Sequence, residues 1–121
     1  GIRRTLGPTR DGVRKIVDEI RARLPESRVL LLGVFPHGND PTSPPWIPRA
    51  RAAIIELNKR LAALDDGKNI RFLDIGGSFL DASGAISKEI MPDGLHPGPK
   101  GYQLWAEAMK PLLDEMLAGG K

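Results

Sequence analysis

The stretch RVLLLGVF, Arg28 to Phe35, decides how the chain is read. It is a continuous apolar run set between Pro25 and the glycine and prolines that follow, too short for a helix and without the alternation of a half-exposed strand. Such a run is a strand buried on both faces, the kind that parallel sheets contain. Upstream, Val13, Ile16, Val17, Ile20 and Leu24 recur at helical spacing, with Thr9 as the expected N-cap and Pro25 as the stop. Downstream comes PHGNDPTSPPWIP, residues 36–48, which holds five of the chain's eleven prolines and reads as a stiff loop or a linker.

A second amphipathic pattern follows in Ala50, Ile54, Leu57, Leu61 and Leu64, closed by Asp65-Asp66-Gly67. IRFLDI, Ile70 to Ile75, is the second short strand, and Gly76-Gly77 ends it. A loop with turn signals at Asp81–Gly84 and Asp93-Gly94 leads to a last helix, expected from about Pro99 to Leu117. Its apolar side is expected to carry Tyr102, Trp105, Ala106, Met109, Leu112, Leu113 and Met116. Pro99 suits a first helical position, whereas Pro111 falls inside the pattern and should kink it. Strands alternating with helices give an α/β fold with a parallel sheet. Two strands are few for that architecture, and their apolar edges ask for neighbours. The pattern is that of half a doubly wound domain.

Composition narrows the function classes. The 121 residues are 40% hydrophobic and 27% charged, ordinary for a globular chain. No apolar run approaches the roughly 20 residues of a membrane helix, so no membrane partner is expected. The absence of cysteine excludes a disulfide scaffold and a thiolate metal site. Residues 1–28 hold eight Lys/Arg against four Asp/Glu, while residues 29–121 hold ten against eleven. The basic segment lacks an aromatic residue to stack on a base, and its charges fall on the polar side of a helix. It reads as a solvated face, and no nucleic-acid partner is expected. The first residue is glycine, so the expectation is a processed start or a part of a longer protein.

Three groups follow strand ends, where the sites of open α/β sheets lie. They are His37-Gly38-Asn39-Asp40, Gly76-Gly77-Ser78, and Asp93 with His96 just before the last helix. A histidine three residues from a carboxylate on a turn can have its ring held in one tautomer, and the carboxylate stabilises the imidazolium formed during proton transfer. The bland alternative is a loop histidine and a turn aspartate. A metal site from His37, His96 and nearby aspartates has no supporting ligand spacing; no metal and no cofactor are expected.

The whole run carries more than the pair. Leu30-Leu31-Leu32-Gly33, Phe35-Pro36-x-Gly38, a helix containing Asn58, then FLDIGGSFLDASGAISKEIMPDGLHPGPKGYQLWAEAMKPLL, Phe72 to Leu113, closely resemble the SGNH/GDSL hydrolases. The nearest branch is that of the platelet-activating-factor acetylhydrolase catalytic subunits, and the likeness extends from about Val13 to Leu117. The resemblance implies a flavodoxin-like three-layer αβα fold with a five-stranded parallel sheet, of which this chain supplies two strands and three helices. It implies ester hydrolysis, with Asp93 and His96 as acid and base of a Ser/Asp/His triad and Leu95 beside the acyl pocket.

Other family features have no match here. The family serine belongs to a Gly-Asp-Ser motif after the first strand, and neither that motif nor Gly-x-Ser-x-Gly occurs. The serines are Ser27, Ser43, Ser78, Ser83 and Ser87, none at the family position. His37-Gly38-Asn39-Asp40 mimics the family's Gly-x-Asn-Asp block but follows the wrong strand. Residues 1–121 are therefore expected to be the C-terminal half of such a hydrolase, acting on a small ester with a serine outside the chain. The bare edge of the first strand is expected to meet the missing N-terminal half or a second copy. A chain that folds by self-association without turnover, and a minimal esterase using Ser78, Ser83 or plain histidine-assisted hydrolysis, are the competing readings.

Overall fold

The computed structural model of the chain describes residues 2–38 and 43–118. The order is α1 (Ile2–Arg23), β1 (Val29–Leu32), α2 (Ile47–Ala62), β2 (Ile70–Leu73), a 3-10 turn at Gly76–Phe79 and α3 (Pro99–Ala118). The two strands are adjacent and parallel, with Val29 opposite Ile70 and Leu32 opposite Leu73.

Side chains alternate across the pleat, so the pairs Leu31/Phe72 and Leu32/Leu73 face opposite ways. Leu31 and Phe72 pack with Val13 of α1 and with Leu57 and Leu61 of α2. Leu73 joins Phe35, Ile75, Phe79 and Met91 under Leu104, Trp105 and Ala108 of α3. Helices thus cover both faces of the sheet, the three-layer arrangement that continuous apolar strands demand. Phe35 is the hinge of the second cluster, meeting Phe79 and Trp105 edge-on at 4.9 and 5.0 Å between ring centroids.

Both strands are shorter than their apolar runs, for reasons visible in the backbone. Beyond Leu32, Gly33 still donates to the Leu73 carbonyl at 2.9 Å. The next residue, Val34, turns instead to Asn58 of α2: its N–H donates to Asn58 Oδ1 at 2.8 Å, and its carbonyl accepts from Asn58 Nδ2 at 3.0 Å. A side-chain amide replaces the neighbouring strand, and Asn58 is buried to do it. On β2, Asp74 Oδ1 accepts the Gly76 N–H at 2.9 Å and bends the chain into the 3-10 turn.

The helices differ from expectation in their starts and facing. α1 begins at Ile2 and runs through Pro8 and Thr9, so Thr9 is interior rather than an N-cap. The proline removes one i→i−4 bond without ending the helix. Within α1 Val17 is buried, whereas Ile16 and Ile20, with Leu24 just past the helix end, are exposed. On α3 the inward face carries Gly101, Leu104, Trp105, Ala108 and Met116, while Tyr102, Ala106 and Leu113 are exposed. Gly101 takes the inward place because that side passes against the Ile90 carbonyl and leaves no room for a side chain. The helix continues through Pro111. Among the described residues, the edge of β1 away from β2 has no strand partner.

Candidate active site

Residues 90–98 form a knotted loop at the carboxyl end of the strands. Gly94, at φ +75°, donates its N–H to the Met91 carbonyl at 3.0 Å, a turn that glycine closes without strain. Asp93 then folds its carboxylate over the residues that follow: Oδ1 accepts the N–H groups of Leu95 and His96 at 2.8 and 2.7 Å. Further on, Gly98 donates to the Ile90 carbonyl at 2.8 Å and delivers the chain to α3. Met91 anchors the loop from below, 1% exposed in the second core cluster.

The remaining carboxylate oxygen meets the histidine ring. His96 Nδ1 lies 2.7 Å from Asp93 Oδ2. An ionised carboxylate can only accept, so Nδ1 carries the proton and donates, leaving Nε2 as a free lone pair. This is the orientation a general base needs. Both side chains remain well exposed, at 56% for Asp93 and 73% for His96.

The same bonds govern the aspartate's titration. The hydrogen bond from the His96 ring, then those from the His96 and Leu95 backbone, hold the Asp93 carboxyl well below the usual carboxylate range. A depressed folded value means the turn is stabilised above the unfolded aspartate value of about 3.9 and loses that contribution as pH falls through the folded value. Followed by carboxyl carbon NMR, Asp93 is expected to titrate below about pH 3.9, the model-peptide value. A midpoint at or above it would show that the bonds to the His96 ring and to the two N–H groups are not made.

A cleft of about 460 Å³ borders the pair, within the usual size range of small-molecule pockets. One wall is the loop before α2, with His37 and Trp46 in edge-on contact at 5.6 Å. Ile86, Lys88, Asp93 and Leu95 also line it, together with the buried Ile47 and Met91. Of the residues singled out by sequence, His37, Asp93 and Leu95 therefore share one cleft, with His96 bonded to its rim. Asn39 and Asp40 of the Gly-x-Asn-Asp mimic lie outside the described residues. Ser78 sits exposed in the 3-10 turn, and Ser83 Oγ donates to Asp81 Oδ1 at 2.6 Å. Among the described residues no three His, Asp or Glu side chains group as metal ligands.

Residues 2–104 match the GDSL-like Lipase/Acylhydrolase family. The chain belongs to this family. Among curated GDSL-like relatives, it is similar to the platelet-activating factor acetylhydrolase IB subunit alpha2 of Rattus norvegicus, 35% identical over 101 residues. The matching span is 84% of this chain and 41% of the rat protein. Against the alpha1 subunit of Homo sapiens the identity is 33% over 107 residues, 88% of this chain and 44% of that one. The GDSL-like chain thus spans less than half the length of these relatives.

Solved structures agree on the fold. A putative platelet activating factor from Streptococcus pneumonia superposes with a TM-score of 0.76 at 20% identity, covering 89% of this chain and 51% of that one. A putative acylhydrolase from Bacteroides fragilis gives 0.72 at 24%, over 97% and 53%. The two parallel strands and three helices are part of the SGNH hydrolase fold.

What sequence reading missed in this GDSL-like site is its scaffolding. Gly38 donates its N–H to the Gly94 carbonyl at 2.6 Å, tying the loop after β1 to the Asp93 turn. Nothing local in the sequence announces a bond across 56 residues. In the sequence Trp46 stands within a proline-rich loop, and a lone tryptophan amid prolines is the signal that could have placed a wall there.

Proposed function

We propose that the chain is part of an ester hydrolase in which Asp93 and His96 are two members of a Ser/Asp/His triad and the serine lies outside residues 1–121. The observation that carries this reading is the Nδ1–carboxylate bond on a rim shared with an open cleft. Family membership supports the reaction class, and the absence of Gly-Asp-Ser together with the short span against the relatives supports an external serine.

In this mechanism His96 Nε2 takes the proton from the serine hydroxyl as its oxygen attacks the ester carbonyl. The tetrahedral intermediate collapses, the bond to the alcohol oxygen breaks, and His96 returns the proton to the departing alcohol. A water then attacks the acyl-serine with His96 again as base, releasing the acid and the free serine. Asp93 keeps the ring in the required tautomer and stabilises each imidazolium. A small ester would rest in the cleft, with Leu95 against its acyl part. The free edge of β1 receives a strand of the serine-bearing segment.

The test is reconstitution. Alone, residues 1–121 are expected to hydrolyse p-nitrophenyl acetate little faster than free imidazole, because triad members act as a unit. With a segment carrying Gly-Asp-Ser, turnover should appear and a fluorophosphonate should label that segment's serine. Serine-inhibitor-sensitive turnover by residues 1–121 alone would point instead to one of their own five serines. Self-association of the chain with no turnover in either sample would favour the non-catalytic reading.

A further inference from the structure

Gly38 belongs to neither strand nor helix, yet it is pressed against the turn that holds the Asp93/His96 pair. A Cβ built on it would stand 2.8 Å from Gly94 Cα and 3.3 Å from the Gly94 carbonyl oxygen. Its φ is not positive, so its backbone would accept any residue, and Gly94 is what a side chain would strike. Gly94 is poorly placed to yield. Its own φ is +75°, its N–H is bonded to Met91, and the next two N–H groups are bonded to Asp93.

The other end of the same segment is gripped as firmly. Gly33 is bonded to β2 through the Leu73 carbonyl, and a Cβ there would come within 3.2 Å of the Asn58 amide. Asn58 clamps both backbone groups of Val34. Pro36 lies against Gly76, its Cδ 3.0 Å from where a Cβ would be. Residues 33–38 therefore form a strut, fixed to the sheet and α2 at one end and butted against the dyad turn at the other.

We infer that Gly38 is a positioning residue: its backbone contact with Gly94 sets how far the Asp93/His96 pair stands from the strand ends, and hence from the ester carbonyl. This rests on reading His96 as the base. Gly38 itself touches no reacting atom. Misplacement of a catalytic group by about 1 Å costs on the order of a hundredfold in rate, and an added methyl at Gly38 displaces the turn by a good part of that.

The experiment compares Gly38→Ala with Gly77→Ala, whose Cβ would meet nothing within 4 Å, in the protein with its serine-bearing segment in place. Gly38→Ala is expected to lower kcat for p-nitrophenyl acetate about tenfold or more, with KM nearly unchanged and amide NMR shifts concentrated at 93–96. Gly77→Ala is expected to leave both constants alone. Pro36→Ala loosens the strut without adding atoms and should lower kcat in the same sense, which keeps the inference testable if Gly38→Ala does not fold. Full kcat in a folded Gly38→Ala protein, or in Pro36→Ala where the alanine variant is unfolded, overturns it. So does a parallel loss of kcat, KM and melting temperature in Gly38→Ala, which would mark a merely structural role. If His96→Ala leaves turnover untouched, the reading of His96 as base is what fails; the NMR shifts at 93–96 still report whether Gly38 sets the turn.

Discussion

His96→Ala is expected to abolish turnover in the assembled protein, and Asp93→Asn to lower kcat by about four orders of magnitude while leaving the fold intact. The two outcomes follow from different atoms. Alanine removes the ring that Asp93 orients to carry the proton. Asparagine keeps an oxygen where Oδ1 accepts the Leu95 and His96 N–H groups, so the turn survives. Its NH₂ now faces Nδ1, however, which must become an acceptor. The proton moves to Nε2, the lone pair there is lost, and no base remains for the serine. Both side chains are more than half exposed, so neither change opens a cavity, and melting temperatures should stay close to the unsubstituted value. kcat on p-nitrophenyl acetate measures the loss. Retention of more than about a tenth of the activity in Asp93→Asn is incompatible with the assigned roles.

Gly101→Ala is expected to destabilise the fold by about 3 kcal/mol, at the upper end of overpacking costs. A Cβ at this position would overlap the Ile90 carbonyl oxygen and lie 2.9 Å from Pro97 Cβ. That carbonyl is itself held by the Gly98 N–H at 2.8 Å, so it cannot swing away without opening the start of α3. Gly12→Ala in α1 supplies the contrast. Nothing lies within 4 Å of its Cβ, and trading helical glycine for alanine is expected to stabilise by up to about 1 kcal/mol. Urea unfolding of the two variants measures both. Equal stabilities would mean that α3 does not pack on the 90–98 loop as described.

The features legible in the sequence are those written in neighbouring residues. Two apolar runs gave two parallel strands, and a spacing of three between Asp93 and His96 gave a bonded pair, because a turn of that length brings the side chains together by itself. Facing was harder. Tyr102 looks like core by hydropathy, but the inward position belongs to Gly101 because a carbonyl 11 residues away needs the space. The start of α1 was hidden because Pro8 reads as a break, whereas the helix runs through it at the cost of one hydrogen bond. Asn58 and Gly38 were opaque for another reason: each acts on backbone far away in sequence, and a polar residue in a helix or a glycine in a loop has many commoner explanations.

The Asp93 turn also bears on the order in which a working site would form. Its hydrogen bonds close within four residues, a loop shorter than those that already close in about 10–100 ns, so the pair can acquire its internal geometry before any sheet exists. If Asp93 and His96 act as proposed, the pair also needs Gly38, 56 residues earlier, to place it and a serine from outside residues 1–121 to act on. The slow events in the birth of the site are then long-range ones. A nascent or refolding chain would carry a ready-made proton relay waiting for something to act on, and recovery of activity should lag behind the appearance of the His96 tautomer by the time needed for the sheet to complete.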